Sequence, residues 1–211
     1  VATRTVRAYI GLGANLGDTE STLAAGVTAL GELPDVRLRT VSRLYATQPV
    51  GITDQGEFRN AAAALDVPAG PDPATGALDV LEQLKTLERR FGRRPRRRWG
   101  PRELDLDLLI FGRARISIER SDGARSVDAG VDPSKAPRLL EVPHPAAAIR
   151  LFVLAPLADI APGLVPPGWG CSVETARRKQ LSVEGADAVR PVGTWDPRLG
   201  RWAPIHEAQP R

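Results

Sequence analysis

Cysteine is almost missing from this sequence. Cys171 stands alone, so no intrachain disulfide can form, and a reducing, cytoplasmic setting is expected. Methionine is absent altogether, so the initiating residue is expected to have been removed or trimmed away. Histidine occurs twice, at His144 and His206, and aromatic residues make up 5%, so each one has to be placed. No apolar run is long enough to span a bilayer, and the first residues lack the apolar core of a signal peptide, so no membrane role is expected. The G-x-x-x-x-G-K-[ST] signature of P-loop nucleotide enzymes is absent. Gly11-x-Gly13-x-x-x-Gly17 approaches a dinucleotide fingerprint but has Leu16 where the third glycine belongs. The favoured reading there is a strand-to-helix turn that needs a flexible backbone, with Asn15 able to reach a ligand.

What is present begins with arginine. Net charge is +4, and the basic residues are nearly all arginine and locally clustered. Clustering points to one local anionic partner rather than to general affinity for nucleic acid or membrane. The chain has 211 residues and 42% hydrophobic content, which suits one domain with extensions.

The order of elements follows from periodicity and capping. A strand is expected over 6–12. A helix capped by Asp18 or Thr19 buries Leu23, Val27 and Leu30 and ends at Pro34-Asp35. Strands follow over 36–45, with an irregularity near Thr40, and over 58–67. A second helix starts at Asp72 or Pro73, places Leu78, Leu81, Leu84, Leu87 and Phe91 on one face, and stops at Gly92. A strand over 103–111 closes the series. This β-α-β-β-α-β order implies an α+β, ferredoxin-like antiparallel sheet with both helices on one face. A further short strand is expected over 114–118, a flexible insertion over 120–138, a helix over 146–158 and a short helix over 173–180. The working division is a domain over 1–165 and a C-terminal extension, 166–211, packed on the core or partly disordered.

The chemistry concentrates in Arg98 to Phe111. Asp105 and Asp107 alternate with Leu104, Leu106 and Leu108. On a strand the acids share one face, roughly 6.5–7 Å apart at Cα. The plain alternative is a half-exposed strand with a polar face. But aspartate is disfavoured in strands and like charges on one face repel, and a cation supplies the reason for the pair. Upstream lies Arg93-Arg94-Pro95-Arg96-Arg97-Arg98, then Arg102. Carboxylates for a hard cation beside guanidinium forks suit a magnesium-bound polyphosphate. An arginine loop that closes over ATP would position the phosphates and exclude water. Trp99 either seals such a site, stacks on a base or packs in the core. His144, held between two prolines, is as consistent with a structural role as with a catalytic one. Phe58 and Asn60, two apart on a strand, offer a stacking ring and an amide to a flat heterocycle, although Phe58 also suits the core.

These segments together resemble one family, the 6-hydroxymethyl-7,8-dihydropterin pyrophosphokinases of folate biosynthesis. The resemblance is carried by Tyr9-Ile10-Gly11-Leu12-Gly13-Ala14-Asn15-Leu16-Gly17, Ser42-Arg43-Leu44-Tyr45-x-Thr47-x-Pro49-x-Gly51 and Phe58-x-Asn60-Ala61. It continues through Gly92-Arg93, Arg98-Trp99-Gly100-Pro101-Arg102-x-x-Asp105-Leu106-Asp107 and Val142-Pro143-His144-Pro145. It implies a ferredoxin-like fold and transfer of the β,γ-diphosphate of ATP to the pterin hydroxymethyl group, releasing AMP. It implies two magnesium ions on Asp105 and Asp107, and Arg93 and Arg102 acting in the transfer. ATP contacts are implied for Lys85, Glu88, Arg98, Trp99, Arg102, His144 and Arg150. The pterin is implied to meet Asn15, Thr47, Val50, Phe58, Asn60 and Phe152. Gln48 and Pro145 stand where the family often has proline and tyrosine. ATP and the pterin are the implied partners, with no nucleic acid, membrane or obligatory protein partner. The rival reading is an RNA-binding module, since a ferredoxin-like sheet with basic loops is also the plan of the RRM. Against it, the aspartates would repel phosphate unless metal is bound.

Overall fold

The computed structural model describes residues 4–48, 56–93, 102–121 and 137–205. Val50, Arg98, Trp99 and most of the expected insertion lie outside the described residues.

Strands β1 (Thr5–Ala14), β4 (Phe58–Pro68) and β5 (Asp105–Phe111) lie side by side in an antiparallel sheet, with β1 between the other two and β5 at the sheet edge. Strands β2 (Arg37–Val41) and β3 (Leu44–Thr47) pair with successive parts of β4. Counted as one broken strand, they give the order expected of a ferredoxin-like sheet. The expected single strand over 36–45 is interrupted at Ser42-Arg43. There the Ser42 hydroxyl accepts the Ala62 N–H at 2.9 Å, in place of a backbone carbonyl. A register shift between Leu38 and Thr40 supplies the irregularity expected near Thr40.

Helices α1 (Thr19–Gly31) and α2 (Pro73–Arg90) cover one face. Each is started by an aspartate. Asp18 accepts the Ser21 N–H, and Asp72 accepts those of Ala74 and Thr75. Gly92, at φ 86°, follows the end of α2 and stops the helix from continuing. Leu23, Val27 and Leu30 of α1 and Leu84 and Leu87 of α2 meet Leu104, Leu106 and Leu108 in the main core.

The opposite face is only partly covered. Helices α3 (Leu151–Ile160) and α4 (Val173–Glu184) form a second core with Leu109 and Ile110 at the end of β5. The β1–β5 register shifts at this point, so that Leu109 is an extra residue. Adjacent Leu109 and Ile110 both reach this core, and Phe111 returns to the first. The helix expected over 146–158 is a 3₁₀ turn, Ala147–Ile149, followed by α3. The helix expected over 173–180 runs on to Glu184.

Two pairings complete the architecture. Strands β6 (Ile116–Glu119) and β7 (Arg138–Val142) form a small ribbon. Strands β8 (Val189–Asp196) and β9 (Arg201–Pro204) form a hairpin, and β8 pairs with β3 to extend the main sheet. Among the described residues no helix is long and apolar enough to cross a membrane.

Candidate active site

The uncovered end of the second face is set by register. Antiparallel partners directly opposite one another share a face. Asp105 lies opposite Gly13, Gly13 opposite Asn60, and Asn60 opposite Tyr45. The next row joins Asp107, Gly11 and Ala62. Phe58 stands opposite Thr47. One face therefore carries Asp105 and Asp107 at one side, Asn60, Thr47 and Phe58 at the other, and two glycines between. Gly11 and Gly13 lie inside β1, which runs on to Ala14, so the turn reading of this segment is corrected. Gly17 alone of the three takes positive φ, at 63°. A Cβ at Gly13 would stand 3.3 Å from the Asn60 Oδ1. Gly13 keeps the floor between Asp105 and Asn60 free of a side chain, whereas the Leu109 side chain lies over Gly11, 3.4 Å from where a Cβ would stand.

The acidic side is dense with charge. Arg93 Nη1 lies 2.7 Å from one Asp105 oxygen, and Arg102 Nη1 donates to both at 2.8 Å. Burial and the neighbouring Asp107 charge raise the pKa of Asp105, while Arg102, Arg93 and Lys85 oppose the rise. Burial also acts to raise Asp107. There the charges of His144, Lys85, Arg102 and Arg93 win, and its pKa falls. The two aspartates thus respond in opposite directions to one buried, strongly charged setting. Two hard oxygen donors on one face fit magnesium, which commonly takes one or two carboxylates and draws further ligands from phosphate and water. No cluster of three or more acidic, histidine or cysteine side chains occurs among the described residues. Among the described residues, the carboxylates that could share a cation on this face are Asp105 and Asp107.

Glu88 lies beneath this platform, 2% exposed. Its Oε1 accepts the Leu106 N–H at 2.8 Å and the Lys85 ammonium at 2.9 Å, and meets Arg93 Nη1. Leu106 sits between the two aspartates, so Glu88 ties the backbone of the acidic strand to α2 and to Arg93. Asn15 performs a similar service for Arg102. Its N–H donates to the Arg102 carbonyl at 3.0 Å, and its Oδ1 accepts the Arg102 N–H at 2.7 Å. His144 is held by its own N–H, which donates to the Leu109 carbonyl at 2.8 Å, while its Nδ1 accepts the Ala146 N–H at 3.3 Å.

On the other side Asn60 Nδ2 donates to Thr47 Oγ1 at 2.8 Å, and both residues are buried. Arg150 and Phe152 sit at the start of α3, with the guanidinium 5.7 Å from the ring centroid. The position of α3 depends on residues not anticipated from sequence. The Asp159 carboxylate accepts from Arg43 N, Nε and Nη2 and from the Tyr45 hydroxyl at 2.6–3.1 Å. Burial and the Asp159 charge raise the Tyr45 pKa, so the phenol stays protonated and donates. Arg43 and Tyr45 stand in the quoted Ser42-Arg43-Leu44-Tyr45 segment, but their partner Asp159 lies more than 110 residues away, so local sequence does not signal the clamp.

Fold and site together define a ferredoxin-like α+β protein with a carboxylate–arginine platform and an aromatic–amide patch on one open sheet face. The family model for 7,8-dihydro-6-hydroxymethylpterin-pyrophosphokinase matches residues 9–162. The chain belongs to that family. It is 39% identical over 161 residues to the 2-amino-4-hydroxy-6-hydroxymethyldihydropteridine pyrophosphokinase of Pseudomonas aeruginosa, covering 76% of this chain and 84% of that one. Against the protein of the same name from Methylorubrum extorquens it is 40% identical over 162 residues, covering 77% and 87%. The fold matches the crystal structure of wild-type Plasmodium falciparum HPPK-DHPS with TM-score 0.67, over 97% of this chain at 14% identity. The chain spans about half the length of that solved protein.

Proposed function

We propose that this chain transfers the diphosphate group of ATP to the hydroxymethyl group of 6-hydroxymethyl-7,8-dihydropterin, releasing AMP, as a step of folate biosynthesis. The observation that carries the reading is the shared sheet face. A carboxylate–arginine platform and a small aromatic–amide patch lie on it side by side, with Gly13 between. In this reading the pterin stacks on Phe58 and Phe152 and bonds at its edge to Asn60 and Thr47, with Asn15 and Val50 nearby. ATP lies along Lys85, Glu88, Arg98, Trp99, Arg102, His144 and Arg150. The hydroxyl oxygen attacks the β-phosphorus in line and releases its proton to solvent, and AMP leaves with the electron pair of the broken phosphorus–oxygen bond. Arg93, Arg102 and His144 stabilise the charge that develops on the phosphate oxygens. Asp105 and Asp107 are the residues that would hold magnesium, two ions in this reading. Bound there, magnesium neutralises the triphosphate and lowers the pKa of the alcohol. The catalytic unit is residues 1–165, with 166–211 as an extension. A cytoplasmic setting belongs to the same proposal, with no nucleic acid, membrane or obligatory protein partner.

The test is AMP formation from ATP, the pterin and magnesium. Asp107→Ala should lower turnover by about a thousandfold or more while circular dichroism stays native. A folded variant that turns over near the wild-type rate would sink the metal assignment.

A further inference from the structure

The C-terminal hairpin lies beyond residues 9–162, the part matched to the family, and the mechanism above makes no use of it. Its placement is specific. Strand β8 bonds to β3 along Leu44–Thr47, with Val189 opposite Thr47 and Pro191 opposite Tyr45. Val189 and Pro191 therefore lie on the same face as Thr47, Phe58 and Asn60. Without β8, the four-residue strand β3 would be a sheet edge, and short edges fray at low free-energy cost. Yet β3 carries Thr47, the hydrogen-bond partner of Asn60.

The hairpin is anchored at two points. Trp202 is 6% exposed, and its indole N–H donates to the Ser42 carbonyl at 2.9 Å. Ser42 begins the junction into β3 and is itself bonded to Ala62 of β4 by backbone and hydroxyl. Trp195 packs edge-on against Trp202 at 4.7 Å. The second point is Arg190, whose Nη2 lies 3.7 Å from Glu57. Glu57 also accepts from Gln48 and Arg59, so it joins both ends of the segment that links β3 to β4. Trp202 sets where β3 starts, and Arg190 meets the segment that leaves it.

We propose that the hairpin of residues 189–204 is a brace for the pterin half of the site, with Trp202 and Arg190 as positioning residues that hold Thr47 in register with Asn60. This inference rests on the pterin reading of Thr47 and Asn60. The nucleotide half is built on β5 and α2, with β1 and β4 intervening in the sheet. Loosening the brace therefore raises KM for the pterin and spares KM for ATP.

The experiment uses the full chain with Trp202→Leu, Arg190→Ala and the double variant, beside Asn60→Ala as a control for the pterin reading. Both KM values are measured for each protein, together with the melting temperature. The double variant is expected to raise pterin KM by about tenfold with ATP KM unchanged within about twofold. A merely structural contribution would lower the melting temperature and move both KM values together, or neither, and either result overturns the brace. If Trp202→Leu fails to fold, Arg190→Ala decides alone, with about a threefold rise in pterin KM expected and no rise overturning the proposal. Should Asn60→Ala leave pterin KM unchanged, the underlying pterin reading has failed. Should Asn60→Ala raise it while the hairpin variants do not, only the brace has failed.

Discussion

Glu88 shows how one almost fully buried side chain can decide the geometry of a charged site. Its carboxylate is buried among Leu106 N–H, Lys85 and Arg93. Removing one member of a buried, hydrogen-bonded ion cluster leaves the others uncompensated, at a cost of about 3 kcal/mol or more. Glu88→Ala should therefore lower unfolding free energy in urea by about 3 kcal/mol. Glu88→Gln retains an acceptor for the Leu106 N–H and should cost less. Equal stability of Glu88→Ala and the wild type would show that the cluster is not a strut. Gly13 matters for the opposite reason, because it must remain empty. A methyl group there stands 3.3 Å from Asn60 Oδ1 and rises from the floor between the two half-sites. Gly13→Ala should weaken pterin binding by about fivefold, near 1 kcal/mol, as read by calorimetry with a non-hydrolysable ATP analogue present.

Among the elements, α2 approaches the chain before it too closely for any other residue at one position. A Cβ on Gly76 would press into the Ala69 carbonyl and lie 3.0 Å from the Phe111 ring. Gly76→Ala should destabilise by about 1–3 kcal/mol despite alanine's better helix propensity, and a rise in melting temperature would contradict this packing. Helix α4 carries a pH-sensitive contact at its start. Glu174 accepts from Arg177 and Arg178, and those hydrogen bonds hold its pKa at about 2, below its ordinary value of 4.5. Since the folded pKa is depressed, the stabilisation is complete above about pH 4.5 and is lost as pH falls towards 2. These partners are solvent-accessible, so the loss should stay within about 1 kcal/mol. Chemical denaturation of the wild type and Glu174→Gln at pH 7 and pH 3 measures it. The gap between the two proteins should narrow at pH 3.

At the scale of the whole molecule, one sheet face is divided between a helical cover and an open site. Strand β5 makes the division, aspartates at one end and Leu109-Ile110 at the other. Because the protein offers a cation two carboxylates, and Asp105 is already engaged by Arg93 and Arg102, magnesium alone should bind weakly. Added without nucleotide it should leave the melting temperature nearly unchanged. Added with an ATP analogue it should raise it by several degrees, since a ligand at about a hundred times its Kd stabilises by about 2.7 kcal/mol. A large shift with magnesium alone would require ligands beyond the two aspartates.

The α1–β–α2 framework was legible because its causes are local. Asp18 and Asp72 cap, Gly92 stops, and Leu104, Leu106 and Leu108 alternate with the acids. Those same local signals placed both aspartates on one face and the arginines beside them, and the motifs in order identified the family. Other features were decided by tertiary structure. Gly11 and Gly13 read as a turn until pairing with β4 and β5 placed both in a strand, Gly13 as the floor of the site and Gly11 beneath Leu109. Residues 189–204 contain Pro191, Gly193 and two tryptophans and show no strand period. They become strands because β3 needs a partner and Trp202 finds the Ser42 carbonyl. Glu88 and Asp159 reveal their roles only through partners brought in from elsewhere in the chain. Local sequence determines which segments curl, extend or bind charge, since those preferences act within a few residues. Which side chains share a face, which end of that face stays open and what steadies its edge depend on register and packing between distant segments.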